Sequence, residues 1–194
     1  MRTMKLNKQL VLGSKSPRRA SLLKEMGFDF KILVTHADEN APMHLNGEET
    51  AVWISEQKAM ALQPKLGNHE LGITSDTEVW LGDKRYGKAS NKESAVQMIE
   101  SLSGKTHQVI TGLTLSTKEE ITSYCSIVQV TLAKMTMEEI HYYVDQFKPF
   151  DKAGAYGIQE WIGHTMVTSI QGEYNAVVGL PTTTLYKALK QFEV

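Results

Sequence analysis

A chain of 194 residues, 41% hydrophobic and 22% charged, is long enough to bury a substantial core as one domain spanning residues 1–194. A formal net charge of −1 removes the global basic field of a nucleic-acid binder, so any cationic site must be local. The one cysteine, Cys125, rules out an intrachain disulfide. No apolar run nears the ~20 residues of a membrane span, and "MRTMKLNKQLVLG" lacks a secretory h-region, so the expectation is a cytoplasmic protein with no membrane contact.

The first apolar run, Leu10-Val11-Leu12, reads as a strand. "GSKSPRRASLL" (13–23) follows as a tight turn and a helix, with Ser16 as N-cap, Pro17 at the first helical position and Gly27 as the stop. Arg18 and Arg19 are out of place there. The first helical turn carries partial positive charge, and an arginine in it costs roughly 0.3–1 kcal/mol. Beside free backbone N–H groups and the hydroxyls of Ser14 and Ser16, the pair makes a cradle for an anion. "FKILVTH" (30–36) is predicted as a second strand, followed by a loop that carries Asp38-Glu39. A helix is predicted from Glu48 to Leu62, with Lys58 on the same stripe as Ala51, Ile54 and Leu62. "ELGITSD" (70–76) reads as a short strand ending in Asp76, and "TEVWLGDKRYGK" (77–88) as a hairpin about Gly82-Asp83.

"SNKE" (90–93) has the form of a capping box with Ser90 as N-cap, opening a helix that stops at Ser103-Gly104. "THQVITGLTLST" and "TSYCSIVQVTLA" are two β-rich runs, predicted to pair antiparallel across "TKEE". "TMEE" (136–139) is a second capping box and starts a helix to Phe147. Residues 148–163 read as a shaped loop. A strand near 165–170 and a helix to Phe192 complete the chain. Strand and helix alternate early and paired strands fill the middle, which implies an α/β fold: a mixed sheet flanked by helices. Ligands in such folds sit at the C-terminal ends of strands, where the turn at 14–19 and Asp76 are both expected.

Two motifs mislead. "SGKT" (103–106) mimics the end of a phosphate-binding loop, but that motif needs glycine where Ile99 stands, and the stretch follows a helix rather than a strand. The six histidines and Cys125 show no zinc spacing, and His107, in a strand, reads as a packed core histidine. What remains is a set of charges: Ser14, Ser16, Arg18 and Arg19 at one helix start, Lys58, Lys88, Asp76, and Asp38-Glu39. Each has an ordinary reading by itself, as solvated surface charge, a turn residue or a snorkelling lysine. Together, several cations and two or three carboxylates suit a polyphosphate with a divalent metal, Mg²⁺ preferring carboxylate, water and phosphate oxygens. A single-stranded RNA binder built on Trp53, Trp80 and Trp161 is disfavoured by the net charge and the lack of a basic aromatic strip.

The chain also resembles the Maf family of nucleoside triphosphate pyrophosphatases along nearly its whole length. The pieces that carry the resemblance are "SKSPRRASLL", "ADE" (37–39), "EQKA" (56–59), "SDTEVW" (75–80), "GKAS" (87–90), "LSGKTHQVITG" (102–112), "DKAGAYGIQ" (151–159) and "VVGLP" (177–181). The resemblance implies an elongated mixed sheet in two lobes with a central cleft, Maf/ITPase-like. It implies hydrolysis between the α- and β-phosphates of a nucleoside triphosphate, a divalent cation (Mg²⁺ or Mn²⁺) and no organic cofactor, and a homodimer. By motif, the family's functional residues fall on Ser14, Arg19, Glu39, Lys58, Asp76, Lys88 and Gln159. Asp76 and Glu39 would hold the metal. The branch acting on dTTP and UTP carries Arg, Thr and Gln at three positions, matched here by Arg18, Thr77 and Gln159, which implies dTTP, UTP or modified pyrimidine nucleotides as substrates. A glutamine both donates and accepts, as the O4 and N3–H edge of uracil or thymine requires. The competing reading is a non-catalytic nucleotide-binding regulator of cell division that uses the same pocket. Three positions depart from the family pattern: Ala89 follows Lys88 where proline is usual, Glu78 stands at an apolar or small position, and Asn175 falls one place early.

Overall fold

The computed structural model describes residues 4–194; the first three residues of the N-terminal stretch considered above lie outside it. The chain begins with strand β1 (Gln9–Leu12), helix α1 (Pro17–Glu25) and strand β2 (Phe30–Ile32), a right-sized unit for a parallel pair, and β1 pairs β2 in parallel. The second strand is shorter than predicted. It ends at Ile32 because its neighbour ends at Leu12, and residues 33–40 run on without a partner ladder.

Helix α2 (Gly47–Leu62) starts one residue before the predicted Glu48. Asn46 caps it in a box with Glu49, and Glu48 and Glu49 sit in the first turn, where the dipole favours them. The helix lies on strands β3 (Glu70–Leu81) and β5 (Thr106–Ser116). Its approach depends on Gly112 of β5: a Cβ there would lie 2.2 Å from the Ala51 carbonyl oxygen. Hydroxyls then pin the contact. Ser55 Oγ lies 2.7 Å from Thr114 Oγ1, and Thr74 Oγ1 donates to the Ser55 carbonyl at 2.8 Å.

The hairpin of β3 and β4 (Lys84–Tyr86) turns at Gly82-Asp83 as predicted. Helix α3 (Lys92–Leu102) is capped by Asn91 in a box with Ser94, one residue later than the Ser90–Glu93 box expected from sequence. Strand β5 pairs β6 (Ile121–Leu132) antiparallel over their full lengths, and Thr136 and Glu139 box the start of α4 (Met137–Phe147), both as predicted. The 148–163 loop closes early, at a short helix α5 (Trp161–Thr165), before β7 (Val167–Gln171). A second short helix, α6 (Tyr174–Val178), has no counterpart in the sequence reading; α7 (Thr182–Leu189) and a 3-10 turn to Phe192 follow.

The fold is α/β, a mixed seven-stranded sheet in the order β2-β1-β3-β5-β6-β7 with β4 on β3, flanked by helices. Strand β3 is where parallel and antiparallel pairing meet. One edge pairs β5 from Gly72 to Trp80. The other pairs β1 only up to Ile73, and β4 only from Val79 onward. Residues 74–78 therefore have no strand on that side. The packing divides at the same place. Ile73 and Leu113 belong to one apolar cluster with Leu10, Leu23 and Leu185; Val79 and Val109 belong to another with Ile99, Ile140 and Val144. Between them, on the same face, lie Ser75, Thr77 and Thr111. Their hydroxyls bond to the Gly179 carbonyl (3.1 Å, from Ser75), to the Ala176 carbonyl (2.8 Å, from Thr111) and to each other (3.1 Å, Thr111 to Thr77). A polar seam crosses the sheet between two cores.

His107 is 2% exposed, as expected of a core histidine, with Nε2 at 2.7 Å from the Tyr156 hydroxyl. Burial lowers its pKa from 6.5 to about 4. The unfolded chain therefore takes up a proton near pH 6.5 that the folded chain refuses until about pH 4, so this histidine's contribution to stability falls as pH falls through that window. Between about pH 7 and about pH 4.5, urea unfolding of the wild type should lose roughly 2–3 kcal/mol that His107→Gln does not lose; equal slopes would contradict the burial argument. Gly112→Ala should cost roughly 3 kcal/mol or more, since a backbone carbonyl cannot move aside as a side chain can. An unchanged urea midpoint would show that α2 does not rest on that contact.

Candidate active site

The gap in β3 opens into a cleft of about 400 Å³, within the usual range for small-ligand sites. Its floor is an ion pair between α2 and β3. Ile54, Lys58 and Leu62 recur every four residues, so Lys58 points at the sheet from between two buried apolar neighbours. Its Nζ lies 2.6 Å from Asp76 Oδ1, and the two side chains are only 14% and 13% exposed. Glu39, from the loop after β2, reaches the same ammonium at 3.4 Å and is 54% exposed. Asp76 is not at a strand end, as the sequence suggested, but in the middle of β3 opposite Gly112. The open edge of the strand, rather than its terminus, exposes it. Asp38 turns away and accepts from the backbone and amide N–H groups of Asn40 (2.9 and 2.8 Å).

At the start of α1 the roles divide. Ser16 Oγ accepts the Arg19 backbone N–H at 3.4 Å, so it caps the helix. Ser14 Oγ accepts from the Ser16 N–H and from Arg19 Nη1, each at 3.2 Å, which leaves its own proton to donate. Arg19 donates to the Gly179 carbonyl (2.7 Å), Ser14 Oγ (3.2 Å) and Thr77 Oγ1 (3.4 Å). Those three bonds leave two of the guanidinium's five N–H donors for a ligand. Burial lowers the Arg19 pKa and the charge of Asp76 opposes this; a guanidinium stays protonated regardless. Arg18 Nη1 donates to Asp151 Oδ2 at 2.8 Å. Burial disfavours the charge on Asp151, but bonds from Arg18 and Lys152 together outweigh it and hold its pKa at about 2. Asp151 thus enters the site as the partner of an arginine.

Lys88 follows β4 and bridges by its backbone to Ala153; it is exposed and takes no part in the ion pairs among the described residues. Gln159 also lines the cleft. Of the residues singled out from sequence, Ser14, Ser16, Arg18, Arg19, Glu39, Lys58, Asp76, Thr77, Lys88 and Gln159 line this one cleft, and Asp38 does not. Nor does Glu78. It shares the α2 side of β3 with Asp76, is 5% exposed, and accepts a fork from Arg85 (2.5 and 2.8 Å). Burial pushes its pKa up to about 7, helped by the charge of Asp76 and opposed by Arg85. The hairpin register could have revealed this partner: Arg85 pairs with Trp80 and so falls on the face of Glu78. Two further residues, Tyr143 and Glu160, tie down the Gln159 segment and carried no signal in the sequence.

Among the described residues no three His, Cys, Asp or Glu side chains form a group that could hold a metal. Two carboxylates, Asp76 and Glu39, do converge on one point, the Lys58 ammonium. That hard-oxygen pair fits a Mg²⁺ or Mn²⁺ ion whose other ligands are phosphate and water, and does not fit a protein-only cage.

The model of the family described as "Maf-like protein" matches residues 9–192. A protein of Bacteroides fragilis named dTTP/UTP pyrophosphatase is 46% identical over 184 residues, 94% of this chain and 95% of its own. Proteins of the same name from Parabacteroides distasonis (43% over 185 residues, 95% and 96%) and Flavobacterium johnsoniae (42% over 181 residues, 93% and 93%) are similar along their lengths. The structure titled "The structure of the Staphylococcus aureus Ham1 protein" aligns with 65% of this chain and 72% of its own at a TM-score of 0.45 and 17% identity, too distant to add weight. No helix among the described residues is long and apolar enough to cross a membrane.

The ion pair at the floor has a measurable consequence. Lys58→Met keeps the stem and removes the charge, leaving Asp76 without its cation. It should cost about 3 kcal/mol in urea unfolding, and adding Asp76→Asn should recover part of the loss. A Lys58→Met protein as stable as its parent would mean the pair is already solvated.

Proposed function

Because this chain belongs to the Maf family, shown by the match over residues 9–192, we propose that it is a metal-dependent pyrophosphatase of pyrimidine nucleoside triphosphates, dTTP and UTP, releasing the monophosphate and pyrophosphate. One observation carries the reading: a single ammonium, that of Lys58, gathers Asp76 and Glu39 on the floor of a cleft whose walls hold Arg19, Lys88 and Gln159. The three similar proteins from Bacteroides, Parabacteroides and Flavobacterium bear the name of that activity.

In this reading the start of α1 receives the phosphates. The Arg18 backbone N–H, which has no partner among the described residues, the Ser14 proton and the two spare Arg19 donors supply bonds to phosphate oxygens. Lys58 and Lys88 add charge. Among the described residues Lys88 has no ion pair to give up, whereas Lys58 exchanges a carboxylate for a phosphate oxygen, which frees Asp76 to accept the proton of the attacking water. Attack on the α-phosphorus then expels pyrophosphate held by the same cations. Asp76 and Glu39 would hold the divalent ion, which when bound neutralises charge on the phosphate oxygens. Gln159 has no side-chain hydrogen bond within the described protein, so its amide is free to meet the O4 and N3–H edge of the pyrimidine, with Arg18 and Thr77 beside the same cleft.

The test is release of pyrophosphate from UTP, dTTP and CTP with Mg²⁺ or Mn²⁺. UTP and dTTP should be turned over in preference to CTP, and Asp76→Asn should lower kcat by about 10²–10⁴-fold. Near-normal release by Asp76→Asn would remove that residue from its role. Tight UTP binding by the wild type without any release would leave the protein a nucleotide sensor instead of an enzyme.

A further inference from the structure

Gln159 sits in an irregular stretch, yet the residues on either side of it are fastened to the core. Tyr143 of α4 is 0% exposed. Its hydroxyl donates to Glu160 Oε2 and accepts the Gly157 backbone N–H at 2.9 Å. One phenol therefore grips the chain two residues before Gln159 and one residue after it. The other oxygen of Glu160 takes Lys152 Nζ at 2.9 Å, and Lys152 also bonds Asp151 at 2.9 Å. Asp151 in turn takes Arg18 at 2.8 Å. A continuous line of five side chains, from Tyr143 through Glu160, Lys152 and Asp151 to Arg18, joins the α4 core to the first turn of α1. The packing along it is tight: a Cβ on Gly157 would lie 2.9 Å from Glu160 Cδ and 3.0 Å from Lys152 Cε.

We infer that Tyr143 and Glu160 are positioning residues for base recognition: they fix the Gln159 amide, and through Lys152 and Asp151 they hold Arg18 in register with it. The inference rests on the base-reading role of Gln159 stated above. Neither Tyr143 nor Glu160 lines the cleft, so neither touches the nucleotide, and each acts through the backbone of its neighbours. Hydrogen-bond readout of a base edge needs a donor and an acceptor held to within a fraction of an ångström, and an amide on an untethered loop turns to suit either pyrimidine. The negative charge of Glu160 is needed for Lys152, and the phenolic O–H is needed for both ends of the grip. Removing either should loosen selection more than chemistry.

The experiment measures kcat/KM for UTP and CTP, inhibition by free pyrophosphate and the melting temperature for Tyr143→Phe, Glu160→Gln and Gln159→Ala. Tyr143→Phe keeps the ring and Glu160→Gln keeps the shape. Both should lower the UTP:CTP ratio on the order of 10-fold, mainly through KM, while pyrophosphate inhibits as in the parent. A merely structural role would lower the melting temperature and depress both substrates together, leaving the ratio intact. If Gln159→Ala collapses the ratio and the other two do not, the positioning role is wrong and the base-reading role survives. If Gln159→Ala leaves the ratio unchanged, the base-reading role fails and this inference with it. Should Tyr143→Phe not fold, Glu160→Gln, which keeps the side chain's shape at an 18% exposed position, decides the matter alone.

Discussion

The site exists because one strand of the sheet is left unpaired along part of one edge. Strand β3 is bonded to β5 without interruption, while on its other side β1 stops at Ile73 and β4 begins at Val79. An open edge inside a sheet is usually a liability. Here the turn after β1 and the first residues of α1 stand over it, and the Gly179 carbonyl receives Arg19 and Ser75 there. The same interval separates two apolar clusters, so the side chains that cross it are hydroxyls and charges rather than leucines. Fold and cleft are one feature: each cluster supplies rigidity on its own side, and the polar seam between them is where a ligand with many oxygens finds partners.

Electrostatics then shapes the cleft. Three of the six cations that line it are matched by carboxylates among the described residues, Lys58 by Asp76 and Glu39, Arg18 by Asp151, and Lys152 by Asp151 and Glu160, with Glu78 matched by Arg85 just outside. Lys15 and Lys88, both exposed, carry no ion pair among the described residues. Such pairing lowers the repulsion among like charges gathered in one place. The arrangement is suited to exchange. In the proposed reaction a phosphate oxygen would replace the carboxylates on Lys58, and Asp76 and Glu39, once released, would be hard-oxygen donors for a divalent ion or a proton. Arg19 differs from the rest, because much of its guanidinium is spent on protein acceptors and it serves as much to tie α1 to Gly179 and Thr77 as to meet a ligand.

Much of this was legible in the residues. Ser16-Pro17 marks the start of α1, Thr136 with Glu139 that of α4, and Gly82-Asp83 the hairpin, because each depends on atoms within four residues of one another. The expectation of an anion site at the cationic first turn of α1 rests on the same kind of local reason, and Arg18 and Arg19 do line the cleft. Apart from one cap, the misses are tertiary. Strand β2 is short because its neighbour is short. Asp76 looked terminal because "TSDTE" breaks the apolar alternation, yet the strand continues, since Ser75 and Thr77 bond across the seam and Asp76 and Glu78 find Lys58 and Arg85. Asn91 displaced Ser90 as a cap, a shift of one residue that local chemistry tolerates equally well. Tyr143 and Glu160 gave no warning, because nothing in a helical tyrosine or a loop glutamate says that they meet around a glycine fourteen residues from one and three from the other.

The central claim is that the cations of this cleft act on one triphosphate. The most direct measurement is a crystal structure with a non-hydrolysable α,β-imido analogue of uridine triphosphate. The account expects phosphate oxygens within hydrogen-bonding distance of Arg19, Lys58 and Lys88 together, with the uracil on the side of Gln159. A nucleotide bound elsewhere, or one that meets only a single member of that trio, would contradict it.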